Sequence, residues 1–154
     1  MSDIRLVLPD QCRTEALARA LALVCRPRDV IALSGEMGAG KSVFARAFLR
    51  ALSDDPALDV PSPTFSLVQE YETRRGMVSH YDLWRLTGPG DLEELGWDLA
   101  LDGIVLVEWP ERAEDWLPGE TLHVVLEVGE EEEVRVATVS GWPDRLRQAL
   151  AGAV

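Results

Sequence analysis

The stretch that most constrains this chain is SGEMGAGKS, residues 34–42. It satisfies G-x-x-x-x-G-K-[ST] over Gly35, Glu36, Met37, Gly38, Ala39, Gly40, Lys41 and Ser42. A short apolar run, DVIALSG, leads into it, and beyond it Phe44, Ala47, Phe48 and Ala51 recur at helical spacing. The run suits a strand buried on both faces. The later spacing predicts a helix ending near SDDP, where Pro56 prevents continuation. Strand, glycine loop and helix in that order leave few architectures open.

The residue types in the loop have a common purpose. Glycines let the backbone curl with its N–H groups inward, making an anion nest that a Cβ would crowd. The helix that follows adds its positive N-terminal end. Lys41 is the sole lysine, since 14 of the 15 basic residues are arginine. A compact ammonium suits the β- and γ-phosphates of a nucleoside triphosphate, and the Ser42 hydroxyl suits Mg²⁺. The motif says nothing about what the energy is used for.

The remaining chain reads as alternating helices and strands. Leu17, Ala20, Leu21 and Val24 mark a first helix, with Asp10 or Thr14 available as its cap. SPTFSLVQEYE and MVSHYDLWRL flank the turn-like TRRG and predict a hairpin from about Thr64 to Leu83. DLEELGWDLAL reads as one short helix capped by Asp91, with Leu92, Leu95 and Leu99 inward. GIVLVEWP is a central strand ending at Glu108. TLHVVLEV and VRVATV alternate as strands around EEEE at residues 130–133, a solvated turn, and PDRLRQALAG closes the chain as an amphipathic helix. The order indicates a single α/β domain over residues 1–154, its sheet flanked by helices and extended by antiparallel hairpins.

Composition narrows the partners. The net charge of −12 repels polyphosphate backbones at long range, which argues against a broad nucleic-acid face of the chain's own while leaving a local phosphate site open. The N-terminus lacks a signal-peptide pattern and no stretch is long and apolar enough for a membrane span, so a cytoplasmic location is expected. Cys12 and Cys25 form no CxxC pair and read as reduced structural thiols; His80 and His123 suggest no metal site.

Hydrolysis at such a loop needs carboxylates at neighbouring strand ends. Asp82, ending MVSHYD, and Glu108, ending GIVLVE, are the candidates for holding Mg²⁺ or orienting water. Asp82 could equally cap the turn that follows, whereas a carboxylate adjoining a buried strand, as at Glu108, is costly unless a cation or water meets it. Ser62 and Thr64 in PSPTF either sense a γ-phosphate as a switch segment or satisfy local backbone groups. Trp109 borders the nucleotide or a partner surface, or packs, as a tryptophan after a core strand more often does.

Taken together, GEMGAGKS, SPTFSLVQEYE, HYDLWRL and LVEWPERAEDWLP resemble the TsaE (YjeE) family from about Asp10 to about Val139. That family comprises small bacterial ATPases required for threonylcarbamoyl modification of the adenosine beside the tRNA anticodon. The resemblance implies a Walker A loop at residues 35–42, with Ser42 in place of the more usual threonine. It makes Asp82 the Walker-B-like acid and Glu108 a second acid at the metal, and places Thr64 in the switch-like segment. Thr14 would lie near the adenine, and Arg135 would stand in for the basic residue of the final hairpin. It further implies ATP and Mg²⁺ as cofactors and TsaB and TsaD as partners, with tRNA met only through the complex; because many phosphate-loop proteins hydrolyse slowly until a partner completes the site, weak ATPase activity alone is expected. A small-molecule kinase on the same loop, or a nucleotide-dependent binding switch, are the alternatives; Arg74 and Arg75 are the nearest candidates for a kinase's lid arginines, although a hairpin tip explains them as well.

Overall fold

The computed structural model describes residues 3–36, 38–61, 67–86 and 89–153, which build one seven-stranded mixed sheet with helices on both faces. In chain order the elements are β1 (Ile4–Leu8), α1 (Gln11–Leu23), β2 (Val30–Gly35), α2 (Lys41–Ser53), β3 (Val68–Thr73), β4 (Gly76–Asp82), α3 (Pro89–Glu94), α4 (Trp97–Ala100) and β5 (Ile104–Glu108). A 3-10 segment (Pro110–Trp116), β6 (Leu122–Val128), β7 (Arg135–Ser140) and α5 (Pro143–Ala153) follow. The strand order is β1-β7-β6-β2-β5-β4-β3. β2 lies between parallel partners β5 and β6, and β4 runs parallel to β5. The hairpins β3–β4 and β6–β7, with β1 against β7, supply the antiparallel parts.

Alternation along the inner strands produces two cores. Ile31 and Leu33 of β2 face one core with Leu106, Leu122 and Leu126, covered by α1, α2 and α5. Val30 and Ala32 face the other with Val105, Val107 and Tyr81, beneath the segments around Leu92, Trp97 and Ala113. β2 is therefore buried on both faces, as its uninterrupted apolar run requires.

Local chemistry sets the helix ends. Asp10, not Thr14, caps α1: its Oδ1 accepts from the Arg13 amide at 3.1 Å, and Thr14 is buried within the first turn. The last turn of α1 carries no basic residue. Distant arginines meet its carbonyls instead: Arg75 donates to Ala22 and Cys25, and Arg145 to Val24 while forking onto Asp29 at 2.6 and 3.0 Å. Arg75 thus fastens the β3–β4 hairpin to α1, and Arg74 pairs with Asp54 at the exposed surface, so both candidate lid arginines have structural partners. Cys12 is exposed and Cys25 buried, both free; burial pushes the Cys25 thiol up and keeps it protonated.

Two expectations need correction. DLEELGWDLAL is not one helix: Gly96, at φ 76, separates α3 from α4 and resets the helical phase. Leu92 is fully buried and Leu95 half-buried, but Leu99 is 80% exposed, and Trp97 takes the inward place, its ring edge-on to Tyr81 at 5.1 Å. Asp91 is not the cap, because α3 begins at Pro89 and Asp91 lies within its first turn. The hairpin's described strands run from Val68 to Asp82; Ser62 and Thr64 fall outside the described residues. β1 was not expected from the sequence. Its Ile4 and Leu6 pack on the main core, but its partner β7 lies at the far end of the chain.

Candidate nucleotide site

The phosphate loop joins β2 to α2 at the sheet's centre. Gly35 closes β2 against β6, where a Cβ would come within 2.6 Å of the Leu126 carbonyl oxygen; only glycine permits that approach. Gly40, at φ 99, turns the chain into α2 with a left-handed conformation that other residues adopt at a cost. Gly40 gives α2 no side-chain cap and the first turn has no acidic residue, so among the described residues its leading amides and positive end remain available to an anion. Glu36 and Gly38 are exposed and Ala39 is buried beneath the loop, while Met37 falls outside the described residues. Lys41 and Ser42 open the helix, with Ser42 exposed.

The two candidate acids meet beside the loop. Asp82 of β4 and Glu108 of β5 are in-register partners at the ends of adjacent parallel strands, both more than nine-tenths buried. They share a face with Val78 and Leu106, the face that α2 covers. Asp82 also accepts from the Trp84 amide at 3.4 Å, so the turn role and the acid role coexist. The Lys41 ammonium lies 4.5 Å from the centre of the Trp109 ring, and the same side chain packs against the second core, so Trp109 is a packing residue that also meets the loop's lysine. Trp109 itself has φ 58, turning the chain sharply away after β5.

Arg135, on β7, donates from Nε to the Gly38 carbonyl at 3.2 Å, which places the final hairpin against the phosphate loop. Thr14, Gly40, Val43, Glu133 and Arg135 line one cleft of about 460 Å³ beside it. The acidic turn at residues 130–133 is exposed as expected, but Glu132 and Glu133 also form part of that cleft's rim. Sequence reasoning missed one participant. His80, read as an isolated histidine, is buried with its Nε2 2.7 Å from Glu108 Oε2.

A model of the threonylcarbamoyl adenosine biosynthesis protein TsaE matches residues 8–137, a span containing Thr14, the phosphate loop, Asp82, Glu108 and Arg135. The chain belongs to the TsaE family. Proteins named tRNA threonylcarbamoyladenosine biosynthesis protein TsaE are similar to it across bacteria. The Rickettsia felis protein is 38% identical, with 82% of this chain and 74% of that one covered. The Aquifex aeolicus protein is 40% identical over 69% and 76% of the two chains, and the Bacillus subtilis protein 34% over 89% and 85%. The crystal structure of Bacillus subtilis YdiB superposes with a TM-score of 0.72 at 26% identity, covering 99% of this chain and 94% of that one. The α/β sheet described above is thus shared with a solved structure over nearly its whole length.

The acid pair of this TsaE-family chain has a measurable stability consequence. Burial, and next the Glu108 carboxylate, raise the Asp82 carboxyl above its ordinary 3.8, against the lowering influence of the Trp84 amide, His80 and Lys41. The folded chain therefore keeps this proton to higher pH than the unfolded chain. The contribution of Asp82 to stability is full below the ordinary value and is lost as pH rises through the raised one. With nucleotide and divalent cations absent, Asp82→Asn is expected to raise the thermal midpoint near neutral pH and to leave it unchanged in acid below the ordinary value. Equal midpoints at neutral pH would contradict this account.

Proposed function

We propose that this TsaE-family chain is a single P-loop domain that binds and hydrolyses ATP in the service of threonylcarbamoyladenosine modification of tRNA, with TsaB and TsaD as partners. The observation that carries the reading is the convergence of an uncapped helix start, one ammonium and two in-register strand-end acids on one loop. Loop amides from Gly35 to Gly40 and the Lys41 ammonium hold the β- and γ-phosphates. Thr14 and Arg135 flank the adenine in the cleft beside the loop. Thr64, from the Ser-Pro-Thr segment, answers to the γ-phosphate.

The donor set fits magnesium: a hydroxyl from Ser42 and carboxylates from Asp82 and Glu108 are hard oxygen ligands, and the burial and neighbouring carboxylate that raise the proton affinity of Asp82 equally favour a cation there. When bound, Mg²⁺ neutralises charge on the phosphate oxygens. The side chains do the rest. One acid orients a water against the γ-phosphorus; the new P–O bond forms as the bond to the β-phosphate oxygen breaks, the water's proton passes to a phosphate oxygen and on to solvent, and ADP and phosphate leave.

The strongly acidic balance, −12, suits a subunit that contacts proteins and meets tRNA only through them. We place the chain's work in the cytoplasm; no helix among the described residues is long and apolar enough to cross a membrane. ATP turnover by the chain alone is expected to be slow and to rise by more than about tenfold when TsaB and TsaD are added, because phosphate-loop sites are commonly completed by a partner. Equal turnover at saturating ATP with and without the partners would overturn the partner assignment. Failure to bind ATP at all would overturn the reading entirely.

A further inference from the structure

From the burial and geometry of one hydrogen bond, we infer that His80 is the positioning residue for Glu108, fixing one carboxylate oxygen so that the other is presented to water or metal. The inference deepens the reading above and rests on Glu108 being one of its acids.

Glu108 is the last residue of β5, paired in register with Leu33 of β2 and Asp82 of β4 before the chain turns away at Trp109 with φ 58, so the ladder fixes its backbone and leaves its side chain to be fixed by other means. A glutamate there has three side-chain torsions to fix, and a reacting water must be held to within a fraction of an ångström. His80 supplies the restraint. It sits on β4 in register with Leu106, two residues before Asp82, on the same face as both acids. Its ring is 2% exposed, and its Nε2 lies 2.7 Å from Glu108 Oε2, at the short end for such a bond.

The other ring nitrogen identifies the donor. Nδ1 is buried with no hydrogen-bond partner among the described residues. A buried N–H without a partner costs more than a bare acceptor, so the proton belongs on Nε2, which donates to the carboxylate. The ring is planar, rigid and packed, so its N–H points in one direction only. Glu108 Oε2 is held and Oε1 is left for chemistry. Histidine paired with a working carboxylate in this way has the logic of an outer partner that orients a ligand without touching substrate.

The test uses the full chain with ATP and Mg²⁺. His80→Phe keeps a flat buried ring and removes the donor. It is expected to lower kcat by about 10- to 100-fold, while KM for ATP and the affinity for ADP shift less than about threefold. His80→Gln, whose amide N–H can reach the same oxygen, should recover most of the loss. Adding His80→Phe to Glu108→Gln should lower turnover no further. Thermal unfolding and ADP binding establish that each variant is folded. Should His80→Phe not fold, His80→Asn, with its donor too short to reach Oε2, must be slower than His80→Gln. Near-normal kcat in His80→Phe, or equal rates for the Asn and Gln variants, alongside an impaired Glu108→Gln would overturn the positioning role and leave the functional reading intact. Normal turnover by Glu108→Gln would instead remove the reading on which both depend.

Discussion

Lys41→Ala is expected to lower ATP turnover by about 100- to 1,000-fold, the usual effect of deleting one preorganised donor to developing charge. The residue opens α2, where leading amides already favour an anion, and its ammonium is held over Trp109 at the end of β5. No other lysine exists in the chain to replace it. Arginine is no substitute: the Lys41→Arg guanidinium is a rigid fork where a compact charge must enter the loop. On the proposed reading the loss should appear with and without TsaB and TsaD, because any stimulation by those proteins would act through the same phosphates. ADP should bind with a smaller penalty than ATP, since loop amides still hold its phosphates. Stimulated turnover near the wild-type rate in Lys41→Ala would remove the phosphate loop from the reaction.

Phe44→Ala is expected to cost about 3–5 kcal/mol of folding stability, a large share of the roughly 5–15 kcal/mol typical of a domain. Phe44 is fully buried on α2, its ring stacked on Phe48 with centroids 6.1 Å apart, one turn below Lys41. The matched control is Leu99→Ala. That leucine is 80% exposed on α4, and its removal should change stability by less than about 0.5 kcal/mol. Denaturant midpoints at constant slope would measure both. Comparable losses from the two variants would mean that the core has been assigned to the wrong side chains.

Those two residues also mark where the sequence could and could not be read. Phe44 was legible because it belongs to an unbroken helical repeat behind a motif that fixes both its neighbours. Leu99 was misread because Gly96 breaks the repeat: its left-handed backbone resets the phase, so positions counted from Leu92 arrive on the wrong face. β1 escaped for a different reason. Five residues at an edge carry little pattern of their own, and their partner β7 is supplied by the other end of the chain. The strand-end acids were visible singly, each after an apolar run, but that Asp82 and Glu108 are in register depends on β4 lying beside β5. The pairing of His80 with Glu108 was hidden for the same reason, since two polar residues 28 positions apart acquire a relation only when parallel strands bring them together. Arg135 was reached through family resemblance, and its bond to Gly38 is a geometric fact that no spacing rule encodes.

The central position of β2 carries a further consequence. Because parallel neighbours grip it on both sides, the strand from which the phosphate loop springs is set when the chain folds, and the entropy of ordering that strand is lost then, not when a ligand arrives. Nucleotide affinity is in this sense borrowed from the stability of the sheet. Substitutions deep in the core, remote from any phosphate, should therefore loosen the grip on nucleotide well before they unfold the protein.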